Sequence, residues 1–200
     1  MIETDIQTRL TDIAKANGGI IDNKTAEQNG ISRAVLSSLC KKGVIERINR
    51  GQYVFPDTVT DEIFATSKRS DYIIISHETS LFLHGISDRI PFVHSVTAPS
   101  DKIPSKALKS DCKIYYIKAE LFELGKTVVK TPSGNEVDCY DLERTVCDIV
   151  RSRSRIGTET FLSAIKAYAA RRDKNLNLLY EYAKKMKISG VMRQYLEVLL

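Results

Sequence analysis

The sequence contains no run of the ~18–20 consecutive apolar residues that a helix needs to span a bilayer. Its start, MIETDIQTRL, is charged throughout and does not resemble a secretory leader, so we expect a cytoplasmic protein. No repeat with a period of about 20–50 residues is found, which argues against a solenoid or a propeller. The 200 residues are 42% apolar and 28% charged, a composition that can bury a core and excludes wholesale disorder.

Cysteine and histidine are few and poorly spaced for a metal or redox site. None of the four cysteines belongs to a CxxC pair, and His77, His84 and His94 complete no metal-ligand spacing. Cys40 and Cys147 fall on the apolar faces of predicted helices, where buried free thiols are expected. We therefore predict no metal and no cofactor.

The motifs of common enzymes are also missing. The sequence has no GxSxG, no glycine-rich phosphate loop and no Glu-x-Lys. His77-Glu78 begins like a zinc-protease motif, but Leu81 stands where the second histidine is needed. Residues 133–138 hold a serine, a glycine and two acids in the wrong order for a nucleotidyltransferase. We predict no catalytic residues and no enzymatic activity.

The charge distribution suits a polyanionic partner without proving one. Thirty basic and 25 acidic residues give a net charge of +5 and a pI near 8.9. Residues 151–200 carry eleven basic and four acidic residues, whereas residues 58–150 carry eleven and fourteen. The basic tail could form a second surface for DNA, RNA or an acidic protein. Its cations could equally be the solvated faces of amphipathic helices.

Residues 1–57 predict a winged helix-turn-helix domain. A stripe of apolar residues predicts a first helix over residues 2–16. Asp22 and Ser32 stand where N-caps belong, before a second helix that ends at Asn29-Gly30 and a third that ends at Gly43. The following segment, VIERINRGQYVF, has two β-prone runs around Asn49-Arg50-Gly51, which predicts the hairpin of a wing.

The outer face of the third helix carries small polar residues and cations but no acid, while its inner face is apolar. A solubilising face normally mixes Glu with Lys, so we favour contact with base edges over an ordinary solvated face. Arg33 and Ser37 are the expected base-reading residues, and Arg47, Arg50 and Gln52 are expected to place the wing on the DNA backbone or minor groove. The complete predicted DNA-binding set is Ser32, Arg33, Ser37, Ser38, Lys41, Lys42, Arg47, Arg50 and Gln52.

Residues 58–200 predict an α/β domain with a small sheet and C-terminal helices, so the fold class of the chain is α+β. A linking helix is expected near residues 60–68, and Pro132-Ser133-Gly134-Asn135 predicts a hairpin of strands 127–130 and 136–140. Asp141 should cap a helix on which Arg144 and Asp148 form a surface or interdomain ion pair. The other predicted strands are 72–76, 92–98 and 112–117, and the other helices are 78–84, 158–171, 176–185 and 189–200.

The segment GISRAVLSSLCKKGVIERINRGQYVFPD resembles the winged-helix domain of AbiEi-family antitoxins, also described as transcriptional regulators of viral defence systems. Residues 76–85, SHETSLFLHG, and residues 142–148, LERTVCD, are similar to that family's C-terminal signatures. The resemblance covers essentially the whole chain. Cys147 departs from the family pattern, where an aliphatic residue is expected, but both are apolar.

The resemblance implies a type IV antitoxin with two activities. The N-terminal domain would repress its own operon by binding inverted repeats. Two monomers that become cooperative on bent DNA are sufficient for this, and the sequence does not require a dimer away from DNA. The C-terminal domain would counteract a nucleotidyltransferase-like toxin without a stable complex, in abortive infection against phage. His77, Arg144 and Asp148 match the antitoxin-domain motifs, although His77 could instead be a hydrogen-bonded structural histidine. A ligand-responsive winged-helix regulator with a sensing C-terminal domain is the alternative.

Overall fold

The computed structural model describes the backbone of residues 2–196 and the side chains of residues 5–195. The chain divides into two compact units, one up to Thr66 and one from Ser67 onward. The sequence predicts a boundary after residue 57, whereas the contacts place residues 58–66 with the first unit. Within residues 2–196, no helix is both long and apolar enough to cross a membrane.

Three helices begin the first unit: α1 (Ile2–Ala16), α2 (Asn23–Gln28) and α3 (Arg33–Lys41). Both predicted caps form. The Asp22 carboxylate accepts a hydrogen bond from the backbone N–H of Thr25 at 2.9 Å, and the Ser32 hydroxyl accepts one from Val35 at 3.4 Å. Gly30 supplies the positive φ of 77° in the turn between α2 and α3.

A small antiparallel sheet completes the winged helix that the sequence predicts. Its strands are β1 (Ile21–Asp22), β2 (Glu46–Asn49) and β3 (Gln52–Val54), in the order β1-β3-β2, and α4 (Glu62–Ser67) follows. The turn Arg50-Gly51 joins β2 to β3. Gly51 has a φ of 81°, and a Cβ added there would lie 2.9 Å from Asn23 Nδ2, so the tip of the wing requires glycine.

The core of the first unit fixes the outward face of α3. Leu36 and Leu39 are buried with Leu10, Ile21 and Ile45. Because one face of α3 is held in this core, the opposite face of the same helix points to solvent.

The second unit contains a mixed five-stranded sheet in the order β6-β5-β4-β8-β7. The strands are β4 (Ile74–Ile75), β5 (Ser95–Pro99), β6 (Lys113–Ile117), β7 (Lys126–Lys130) and β8 (Glu136–Tyr140). The predicted hairpin is confirmed, with β7 and β8 antiparallel over five residue pairs. The pairs β4–β8 and β5–β6 are parallel, and they therefore need crossover connections.

Arginine side chains occupy the free edge of β6. Lys113 N donates to His94 O and Ile117 O accepts from Ser100 N, at the two ends of β5, so the carbonyls of Ile114 and Tyr116 point the other way. Arg155 Nη2 donates to Ile114 O at 3.2 Å, and Arg151 donates to Tyr116 O at 3.3 and 3.4 Å. Two outward acceptors of this edge strand are thus already bound.

The helices of the second unit are α5 (His77–Leu83), α6 (Lys106–Asp111), α7 (Leu142–Arg151), α8 (Thr158–Ala170), α9 (Leu176–Lys185) and α10 (Ser189–Leu196). Helix α7 lies in the centre, because residues 142–150 are all buried. Asp141 caps it as predicted, accepting from the backbone N–H of Arg144 at 2.7 Å. The end of the last predicted helix, residues 197–200, lies outside the described residues.

Several details of the second unit differ from the sequence prediction. The apolar residues of the predicted helix 158–171 suggest an inward face of Phe161, Leu162, Ile165 and Tyr168. Leu162 is instead 45% exposed, because it lies beside the stripe that the other three form at helical spacing. Phe92 and Val93 lie in an exposed loop, since pairing of β5 begins only at Ser95. Strand β4 has two residues instead of five, and helix α6 was not predicted.

Candidate nucleic-acid interface

The solvent face of α3 presents the residues that the sequence predicts for DNA contact. Arg33, Ser37 and Lys41 lie four residues apart and form one exposed stripe along the helix. Ser32, Ala34, Ser38 and Lys42 beside this stripe are exposed as well. Together these residues form what we call the α3 surface. Its small side chains let a helix approach the floor of a major groove, and its cations can meet phosphates at the rim.

Glu27 lies against the α3 surface and was not foreseen. Its Oε1 accepts from Arg33 Nε at 2.7 Å, and its Oε2 accepts from Arg33 Nη2 at 3.4 Å. Both side chains remain exposed, at 68% for Arg33 and 44% for Glu27. The absence of acid noted in the sequence concerns the third helix alone, and Glu27 lies on the preceding helix α2. The helix-turn-helix brings it back beside Arg33.

The wing adds two cations at its exposed turn. Arg47 and Arg50 are both exposed, and Arg47 Nε donates to Asn49 O at 3.1 Å. The register of β2 and β3 shifts between Arg47 and Asn49, which marks a bulge beside the turn. The cations of the wing and of the α3 surface therefore belong to adjacent elements of one unit.

Gln52 does not belong to this surface, which corrects the prediction. Gln52 is only 3% exposed, and its Nε2 donates to Ala65 O at 2.9 Å. Its Oε1 accepts from Asn49 Nδ2 at 3.1 Å. Strand β3 is the central strand of the small sheet, and all three of its residues are buried, so it presents no side chain to DNA. Gln52 ties the wing to the segment around α4 instead of reaching DNA.

Arg144 and Asp148 form a buried ion pair within the second unit, not the surface or interdomain pair that was expected. Their side chains are 0% and 1% exposed, with Arg144 Nε 3.1 Å from Asp148 Oδ2. Arg144 Nη1 also donates to the carbonyls of Leu121 and Leu124, and its guanidinium lies 4.0 Å from the centre of the Tyr140 ring. The contacts join α7 to the segment before β7.

His77 is likewise a buried, hydrogen-bonded residue. Its Nδ1 is 2.9 Å from Ser76 Oγ and its Nε2 is 3.0 Å from Ser152 Oγ, so both ring nitrogens have partners. The ring stacks on Tyr115, with centroids 3.3 Å apart and an interplanar angle of 8°. His77 also has a φ of 49°, a backbone conformation that is uncommon outside glycine. The structural alternative considered for this histidine fits these contacts.

Burial and neighbouring cations act together on His77. Burial lowers the pKa of His77 well below 6.5, and the positive charges of Arg144 and Lys113 lower it further. The imidazole is therefore neutral at physiological pH. Burial raises the pKa of Asp148, and the charge of Arg144 opposes that rise.

The burial of His77, Arg144 and Asp148 limits what these motif residues can do. None of the three is more than 1% exposed, so none can touch a partner molecule without opening of the unit. Their contacts instead connect α5, α7 and the sheet. We conclude that these residues hold the second unit together through contacts in its core.

A cleft of about 320 Å³ opens between the loop after α5 and the start of α8. Its floor is apolar, with Leu81, Ile86 and Ala164, and its rim is polar and charged. The rim residues are Ser87, Asp88, Arg89, Glu159, Thr160 and Ser163. This volume is at the small end of the range for ligand pockets. Two carboxylates and one guanidinium give the rim the chemistry to hold a small polar molecule with an ammonium group.

Comparison with protein families finds a match for part of the first unit. Residues 9–56 match a family model described as "Transcriptional regulator, AbiEi antitoxin". This segment is therefore similar to the AbiEi antitoxin family of transcriptional regulators. The match runs from α1 to the residues just after β3, so the AbiEi-type segment includes the whole α3 surface and the wing. It confirms the resemblance found in the sequence for the winged-helix segment. Residues 76–85 and 142–148 lie outside the match, and their role as antitoxin-domain signatures stays a prediction.

The fold is similar to that of a solved structure. The crystal structure of the RV2827C protein from Mycobacterium tuberculosis aligns with a TM-score of 0.67 over 94% of this chain and 74% of that chain. The sequences are 12% identical, so this likeness is one of fold alone. A search of curated proteins gave no match.

Proposed function

We propose that this AbiEi-type regulator represses its own toxin–antitoxin operon in the cytoplasm by binding inverted repeats in promoter DNA. Helix α3 would enter the major groove, and the wing would contact the adjacent backbone or minor groove. The observation that carries the proposal is the exposed stripe of Arg33, Ser37 and Lys41 on a helix whose other face is core. Arg47 and Arg50 on the neighbouring wing add charge for phosphate contacts.

The test uses a duplex from the region upstream of the gene and a shuffled duplex of the same composition. The full chain should bind the upstream duplex ~10³-fold more tightly at physiological salt. Arg33→Ala should reduce that preference, whereas Lys184→Ala, which removes one exposed cation from α9, should not. Equal affinity of the wild-type protein for both duplexes would contradict the proposal.

We further propose that the second unit counteracts a co-expressed nucleotidyltransferase-like toxin without forming a stable complex, as a type IV system acting against phage. The AbiEi match of residues 9–56 supports the antitoxin part. The product of the neighbouring reading frame should arrest growth, and the full chain supplied from an unrelated promoter should restore it. Arg33→Ala/Lys41→Ala should restore growth equally well, because that variant lacks only DNA contacts. Failure of the wild-type chain to restore growth would contradict this activity.

The cleft of the second unit supports the alternative, a regulator that responds to a small ligand. Its polar rim and apolar floor suit an ammonium-bearing molecule of amino-acid size. A panel of free amino acids should then raise the Tm of the wild-type chain but not of Asp88→Asn. If no member of the panel shifts the Tm, the antitoxin proposal is favoured.

A further inference from the structure

The contact between Glu27 and Arg33 has a defined orientation. Nε and Nη2 of Arg33 face the two carboxylate oxygens, at 2.7 and 3.4 Å, so Glu27 binds the side of the guanidinium. Nη1 makes no hydrogen bond with any of residues 5–195. One hydrogen on Nη1 and one on Nη2 therefore form a fork that is directed away from Glu27.

This fork matches one base edge in the major groove. Guanine presents two neighbouring acceptors there, O6 and N7, and a bidentate arginine is the commonest contact to them. Adenine presents one acceptor and one donor at the same place, which a fork of two donors cannot satisfy. We infer that Glu27 determines the base specificity of this helix by holding Arg33 in the orientation that reads guanine. The inference rests on the proposed DNA binding.

The chemistry of the pair explains how Glu27 acts. An exposed ion pair contributes little to folding stability, so stability is a weak reason for its presence. A free arginine side chain has many rotamers, and fixing one of them before DNA arrives removes that cost from binding. The carboxylate also repels phosphate groups, which discourages Arg33 from a contact that carries no sequence information. Glu27 is a positioning residue for Arg33.

The experiment begins with the full wild-type chain and a randomised duplex library. The enriched half-site should contain one guanine whose replacement by adenine weakens binding about 10- to 100-fold. Arg33→Ala should lose that preference at the same position. Glu27→Gln keeps the size of the side chain but removes its charge, and should reduce the preference about 5- to 10-fold while affinity for a random duplex stays equal or rises. The Tm should not change.

Glu46→Gln is the matched control, because it removes an exposed acid from the wing of the same unit. It should leave the guanine preference at the wild-type value. The inference is overturned if Glu27→Gln retains the full preference, or if Glu46→Gln reduces it as much. If the wild-type chain enriches no sequence at all, the proposed DNA binding fails first, and that result is distinguishable from a failure of Glu27 alone.

Discussion

Arg144 Nε lies 3.1 Å from Asp148 Oδ2 on helix α7, and neither side chain is more than 1% exposed. The pair is surrounded by further donors and acceptors, yet Arg144 Nη2 has no hydrogen-bond partner among the described residues. A buried ion pair repays its desolvation only when its geometry is nearly complete. This pair therefore contributes less to folding stability than its contacts suggest. The loss of one partner, however, leaves an unpaired charge in the core.

The first prediction concerns that pair. Asp148→Ala should lower the free energy of unfolding by ~3–5 kcal/mol, because Arg144 is left buried without its counter-ion. The double variant Arg144→Met/Asp148→Leu should lose much less, since no charge remains inside. Urea unfolding of the three proteins measures both effects. If Asp148→Ala were as stable as the wild type, the buried geometry described here would be wrong.

A second prediction separates wing structure from wing function. Gln52→Ala should destabilise the first unit by ~1–3 kcal/mol, because Ala65 O and Asn49 Nδ2 lose their partner. Arg50→Ala should leave stability unchanged and weaken DNA binding. Thermal unfolding and a DNA titration of each variant give the four values needed. Unchanged stability in Gln52→Ala would mean that this side chain does not hold the wing.

Lys41 provides a third prediction through the salt dependence of binding. Lys41→Ala should weaken binding to all duplexes by a similar factor. It should also make the negative slope of log K against log salt less steep by about one. Arg33→Ala should instead cost ~1–3 kcal/mol mainly on the preferred sequence. Titrations at four salt concentrations distinguish these two results. A sequence-dependent loss in Lys41→Ala would move that residue from phosphate contact to base contact.

The fourth prediction concerns pH and His77. Burial lowers the pKa of His77, so the unfolded chain binds a proton that the native protein does not, and stability falls as pH drops below about 6.5. Through His77, the free energy of unfolding falls by up to ~1.4 kcal/mol for each pH unit. The raised pKa of Asp148 acts in the opposite sense. The native protein binds a proton at this carboxylate more readily than the unfolded chain does, so this group favours the native protein as pH falls.

His77→Asn isolates this contribution, since asparagine tolerates the positive φ at position 77. Asp148 is unchanged in the variant, so subtracting the two pH profiles leaves the part that belongs to His77. The wild type should lose stability more steeply than His77→Asn between pH 7 and pH 5. Parallel profiles, measured by chemical denaturation at each pH, would show that His77 is protonated inside the native protein.

Local signals explain why the first unit was predictable. Asp22 and Ser32 are caps whose side chains act within three residues, and Gly51 is required by a turn of two residues. Such interactions are visible in a short stretch of sequence. Gln52 was misplaced because its partner Ala65 lies thirteen residues away, beyond any local pattern.

The second unit and Glu27 show where sequence reasoning stops. Arg144 and Asp148 have the spacing of a surface pair on a helix, and only the packing of α7 against its neighbours removes them from water. Strand β4 has two paired residues, too few for any periodicity. Glu27 meets Arg33 across a turn, so neither helix by itself reveals the contact.

Arg151 and Arg155 cover the outward carbonyls of strand β6, and this has a consequence for any attempt to neutralise the basic tail. Replacing both arginines removes charge and also uncovers an extendable strand. Such a protein would pair this strand with the same strand of a second molecule, and a loss of activity would then reflect self-association instead of the lost charge. Charge-removing variants in this region are best made at Lys184 or Lys166, which hold no strand edge.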